Sequence, residues 1–278
     1  MKLSIGFSTC PNDTFIFDAM VNQKIDTEGI EYVPIITDIE ELNERAIAMS
    51  YDITKMSFFA FGFVIDQYAV LPYGNALGHG VGPLLVAREP MSEEQINKAR
   101  IAIPGKHTTA NFMLSLAYPK AKDKTPMLFS SIEDAVLNGK ADVGLLIHEN
   151  RFTYADKGLV KLADLGDFWE KEMNMPIPLG GIGIRRFLPK SIQEKVLRAL
   201  KNSIEYAFQN PEDSETFVKR YADTPDPEVI KKHIELYVNE STRELDTTGR
   251  EAIRTLFKKA REKELIPPYV PSIFYDEQ

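Results

Sequence analysis

The run Val143-Gly144-Leu145-Leu146-Ile147 places the tightest limit on how this chain folds. It carries no polar residue in either phase of a two-residue repeat. As a strand it must be covered on both faces, the situation of a strand inside a helix-flanked parallel sheet.

The N-terminal third follows the same plan. Leu3, Ile5 and Phe7 alternate with Lys2, Ser4 and Gly6 and predict a strand, followed by a turn and a helix over about 13–21. A strand over 30–36 leads to Asp38, a residue suited to capping a helix that carries Ile39, Leu42, Ala46 and Met49 at helical spacing. A short strand over 51–56 then precedes Ser57 and the apolar helix 58–65. A second region opens near Leu84. Ser92 and Gln95 have capping-box spacing, residues 101–103 read as a strand, and Pro104-Gly105-Lys106-His107-Thr108-Thr109 leads into a helix over 110–117. Beyond Ile184 the chain is mainly helical, ending in a proline-stiffened tail over 266–271. Alternating βα units predict an α/β fold of two lobes. Residues 1–85 and 185–278 form a discontinuous first lobe and 86–184 an inserted second one. Crossings at 84–88 and 179–186 predict a hinge, with a ligand cleft between the lobes.

Composition narrows the function. At 278 residues the chain is near the size at which one core divides into two, and an apolar fraction of 44% excludes disorder. Thirty-three basic against 41 acidic residues give a net charge of −8, which argues against a nucleic-acid partner. The single cysteine, Cys10, excludes an internal disulfide and a cysteine-rich metal site. No apolar stretch is long enough to insert in a membrane, and the first residues lack an export-signal pattern, so a cytoplasmic location is expected. Oligomeric state is not encoded in any motif.

Three loops share one design, a strand end running into a helix start rich in hydroxyls or amides: 8–14, Lys55-Met56-Ser57, and 104–109. Helix starts offer free N–H groups and partial positive charge to oxygen-rich small molecules, although the same residues also serve as plain caps. The 104–109 loop lacks the residue order of a nucleotide phosphate loop, and Gly78, Gly80 and Gly82 do not form a dinucleotide fingerprint. They predict a tight chain approach at the hinge. No histidine pair has zinc-ligand spacing, so no metal is expected. His233 reads as a surface residue on a polar helix, while His79 and His107 flank glycines in loops near the cleft. His148 differs, because it directly follows the buried run at a strand's C-terminal end. It is the candidate general base, with an ionisation expected in the ordinary range of ~6–7.

Together, Ser8-Thr9-Cys10-Pro11-Asn12-Asp13-Thr14-Phe15, Gly78-His79-Gly80-Val81-Gly82-Pro83, Pro104-Gly105-Lys106-His107-Thr108-Thr109, Ile147-His148-Glu149-Asn150-Arg151-Phe152-Thr153-Tyr154 and Pro176-Ile177-Pro178-Leu179-Gly180-Gly181 resemble the 1,4-dihydroxy-6-naphthoate synthase family of the futalosine route to menaquinone. The resemblance implies a type II periplasmic-binding-protein-like fold. It also implies a lyase that cleaves cyclic dehypoxanthine futalosine to 1,4-dihydroxy-6-naphthoate without metal or organic cofactor. His148 matches the family's base, and Lys55, Met56, Ser57, Thr108 and Thr109 match its substrate-contacting segments. Two alternatives are a chorismate dehydratase of the same route and a non-enzymatic solute-binding protein.

Overall fold

The structure, a computed structural model, describes residues 1–269 and 271–277. The expected stiff tail over 266–271 therefore lies partly outside the described residues. The strands are β1 (Lys2–Phe7), β2 (Glu31–Ile36), β3 (Ile53–Ser57), β4 (Tyr68–Val70), β5 (Ala76–Gly78), β6 (Leu84–Ala87), β7 (Ile101–Ile103), β8 (Lys124–Pro126), β9 (Val143–Leu146), β10 (Val160–Asp164) and β11 (Ile177–Arg185). They form two sheets, one per lobe. The first runs β2-β1-β3-β11-β4, with β5 also paired to β11, and the second runs β10-β6-β9-β7-β8. Within them β1 is parallel to β2 and β3, and β7 is parallel to β8 and β9, whereas β11 and β6 run antiparallel to their neighbours.

Side-chain pattern explains the layering. Leu3, Ile5 and Phe7 of β1 are all buried, and Phe7 stacks on Phe17 of helix Pro11–Val21 with ring centroids 4.6 Å apart. That helix has almost no exposed face, and helix Lys190–Gln209 covers one side of it with Val196, Leu200 and Ile204. Ser203 sits in this helix pair, donating to the Ile16 carbonyl at 2.6 Å and accepting from the Met20 amide at 3.0 Å. Val143–Leu146 is fully buried, as its sequence demands. Asp38 and Ser92 cap their helices, the latter in a complete capping box. Among the described residues, no helix is long and apolar enough to cross a membrane.

The lobe crossings fall at 79–83 and 174–176 rather than at 84–88 and 179–186. The latter segments are themselves strands: Leu84–Ala87 bonds to β9 and β10, and Ile177–Arg185 threads between β3 and β4 of the first sheet. Apolar extended segments satisfy their backbone groups best inside a ladder, so the chain crosses where glycine, proline and polar residues interrupt them. At the first crossing Gly82 lies flat against Gly166; a Cβ on Gly82 would be 2.2 Å from the Gly166 backbone.

Candidate functional site

The C-terminal ends of β1, β3, β7 and β9 all open on one cleft between the sheets. Ligands in open α/β sheets bind beyond such strand ends. The three hydroxyl- and amide-rich loops converge here: Asn12 and Asp13, Lys55 and Ser57, and Thr108 and Thr109 all line the cleft, with His148.

The floor is a bonded polar network. Asp13, 1% exposed, accepts from the Ser8 hydroxyl at 2.7 Å, the Ser8 amide at 3.2 Å and the Asn12 side chain at 2.8 Å. Its other partner is the Lys55 ammonium at 3.0 Å, which also donates to the Gly74 carbonyl at 3.2 Å. Burying this pair is tolerable because both charges are neutralised and nearly every donor and acceptor is used. Strand period decides the fate of the next residue. Lys55 and Ser57 face the cleft, whereas Met56 points to the opposite face and packs wholly buried in the core, so its side chain does not contact a ligand.

At the second-lobe helix start the hydroxyls are already committed. The Thr108 side chain accepts from the Asn111 amide as the N-cap of helix Thr109–Ala117 and donates to the Gly105 carbonyl. Thr109 bridges the lobes, accepting from the Phe59 amide at 3.2 Å and donating to the Leu179 carbonyl at 2.7 Å. What this loop offers a ligand is therefore backbone N–H and helix-start charge. A second bridge lies beside it. Glu40 accepts from the His107 amide at 3.0 Å and its ring Nδ1 at 2.9 Å, which raises the His107 ionisation, and Asn43 links Glu40 to Ser57. His79 is turned away from the cleft toward Glu170, at 2.8 Å.

The wall opposite the floor is built differently. His148 adopts φ +56°, a left-handed conformation unusual for a residue with a Cβ. Its Nε2 is buried without a hydrogen-bond partner among the described residues, and Phe129 packs edge-on against the ring at 5.0 Å. Burial pushes the imidazole down to about 4, well below the expected range, with Asp13 and Lys55 opposing each other in smaller effects. The ring is thus neutral across the physiological range, with the Nε2 lone pair free to accept a proton.

His233, expected on the surface, is fully buried behind His148, the two rings 6.1 Å apart and nearly parallel. Its Nε2–H donates to Asn12 Oδ1 at 2.9 Å, tying wall to floor. The signal for its burial is helical spacing: Val229, His233 and Tyr237 recur every four residues on one buried face. Sequence reasoning also misses Glu149, 3% exposed, whose carboxyl is pushed up to about 7, first by burial and then by Asp223. Although no metal-ligand spacing exists in the sequence, donor atoms of Cys10, His148 and Glu149 lie within 4.8 Å of one another.

Comparison with known proteins places this geometry. A family model described as menaquinone biosynthesis matches residues 3–262. Proteins named 1,4-dihydroxy-6-naphthoate synthase from Thermus thermophilus and Streptomyces coelicolor are each 38% identical to the chain. The first alignment covers 98% of both chains, the second 97% of this chain and 96% of the relative. A crystal structure from Archaeoglobus fulgidus superposes with a TM-score of 0.90 at 37% identity, covering 95% of this chain and 98% of that one. The alkanesulfonate-binding protein of Xanthomonas axonopodis, bound to MOPS, superposes with a TM-score of 0.72 at 13% identity, covering 96% and 94%. That likeness establishes the periplasmic-binding-protein fold and nothing about the ligand.

Proposed function

This chain belongs to the menaquinone-biosynthesis family, and we propose that it is a cytoplasmic 1,4-dihydroxy-6-naphthoate synthase, a carbon–carbon lyase acting on cyclic dehypoxanthine futalosine. One observation carries the reading: an unpartnered imidazole nitrogen, His148 Nε2, at the end of a buried strand beside the cleft. In this reading His148 removes a substrate hydroxyl proton. The oxygen's electrons form a carbonyl as the adjacent carbon–carbon bond breaks, and the bonding pair passes to the ring fragment, which then aromatises. The backbone N–H groups at the start of helix Thr109–Ala117 receive the substrate's carboxylate, and the Asp13–Lys55 pair holds the opposite side of the cleft rigid. Positioned proton transfer contributes ~10²–10⁴-fold; orientation and exclusion of water between the lobes supply the rest.

The test is direct. Purified protein is incubated with cyclic dehypoxanthine futalosine or with chorismate, with chelator present, and naphthoate absorbance is followed. The expected result is naphthoate from the first substrate, undiminished by chelator, and no conversion of the second. Inert cyclic dehypoxanthine futalosine at enzyme excess refutes the reading.

A further inference from the structure

We propose that Cys10, His148 and Glu149 form a binding site for a divalent cation of the zinc class, whose occupation withdraws His148 from the cleft and ties the two lobes together. The second half rests on the functional reading above; the binding itself does not.

Behind the cleft wall, buried acceptors meet without a donor. His233 donates through Nε2–H to Asn12 Oδ1, and the Asn12 amide is itself oriented because its Nδ2 donates to Asp13. The neutral ring therefore presents a bare lone pair at Nδ1, 3.8 Å from Glu149 Oε2. Among the described residues, neither that nitrogen nor either Glu149 oxygen has a hydrogen-bond partner, and the same holds for His148 Nε2. Glu149 and His233 are 3% and 0% exposed. The Glu149 oxygens and His148 Nε2, buried acceptors with no donor, call for a positive centre beside them, a proton or a cation.

The chemistry of the set selects the cation. A thiol, an imidazole and a carboxyl suit zinc, whereas magnesium and calcium favour all-oxygen shells. Ligands on tetrahedral zinc are separated by about 3.5 Å, given bonds of about 2.0–2.3 Å. Three donor atoms already within 4.8 Å of one another need only modest side-chain rotation to reach that spacing. Cys10 precedes helix Pro11–Val21 in the first lobe, while His148 and Glu149 follow β9 in the second, so one ion spans the division. His148 borders the cleft and gives the ion its route in.

Cobalt(II) is the probe. Full-length protein, stripped with chelator and dialysed, is titrated with Co²⁺ and read optically. A thiolate-to-cobalt band in the near-ultraviolet with intense four-coordinate visible bands, bleached by Zn²⁺, is expected. Because Cys10 is the chain's single cysteine, that band identifies the ligand without a variant. Glu149→Gln should weaken cobalt binding by ~10-fold or more. A wild-type spectrum without the thiolate band, or one unchanged in Cys10→Ser, overturns the site and leaves a proton on Glu149 as the positive centre. In the activity arm, Zn²⁺ should suppress wild-type turnover reversibly. Cys10→Ser should keep its basal turnover and need ~10-fold more Zn²⁺ for the same effect. Failure of the wild type to turn over substrate refutes the functional reading only; the cobalt spectrum still decides the site.

Discussion

The floor and the wall of the cleft solve opposite problems. On the floor, Asp13 gathers four donors and Lys55 two acceptors, so the charges there are immobilised. On the wall, His148, Glu149 and His233 keep lone pairs with no partner, and His148 holds a left-handed backbone to do so. A saturated network gives fixed geometry; an unsaturated one gives reactivity, at a cost in stability. The contrast predicts that floor substitutions damage folding, while wall substitutions damage function and leave the fold sound.

The largest effect should come from breaking the floor. Asp13→Ala strands a buried ammonium and should destabilise the protein by about 3–5 kcal/mol in denaturant unfolding. A loss below ~1 kcal/mol would show that water replaces the carboxylate and that the floor is not the rigid element. Next, His148→Ala should lower turnover by ~10²-fold or more with a native unfolding midpoint. His148→Gly should be equally inactive yet more stable by roughly 1 kcal/mol, since glycine adopts φ +56° without strain. A destabilised His148→Gly protein would erase the distinction between floor and wall.

Acid titration sharpens the comparison further. With the His148 ionisation lowered to about 4, kcat/KM measured with chelator should hold to near pH 5 and fall only around pH 4. The stability sign follows from the same shift. The unfolded chain takes up this proton near 6.5 and the folded one near 4, so stability declines as pH falls through that window. In His148→Asn that part of the decline should disappear. The smallest effect belongs to the Glu40–His107 bridge, where the hydrogen bond to Glu40 raises the His107 ionisation. Its contribution is complete below about 6.5 and is lost as pH rises through the raised value. Glu40→Gln should flatten this alkaline decline by no more than ~1 kcal/mol, the bridge being partly solvated.

Much of this architecture is legible in the amino-acid sequence. Alternation in Leu3–Phe7, the apolar run at β9 and the caps at Asp38 and Ser92 are local signals, and local signals survive folding. Strand ends running into hydroxyl-rich helix starts locate the cleft because the α/β plan fixes where such loops point. What the sequence conceals is a matter of phase and distance. Met56 groups with its neighbours by position, yet strand period sends it to the opposite face. His233 reads as exposed beside the charges of Glu228, Lys231, Lys232 and Glu235, while the stripe it shares with Val229 and Tyr237 decides its burial. The Asp13–Lys55 and Asn12–His233 pairings join residues 42 and 221 positions apart, and no periodicity encodes such a meeting. Nor does any sequence signal reveal that the Thr108 and Thr109 hydroxyls are spent on the protein itself.

The contact between Gly82 and Gly166 has a consequence for how this sequence can change over time. A methyl group on either residue meets the other's backbone, at 2.2 Å from one side and 2.8 Å from the other. Neither backbone atom can step aside as a flexible side chain would. Enlarging one residue cannot be offset by shrinking the other, because both are already as small as an amino acid can be. The two positions therefore form an evolutionary dead end for each other, 84 residues apart in the chain and invisible to any substitution scheme that treats sites independently. In a saturation library selected for function, both should appear as columns with a single permitted letter.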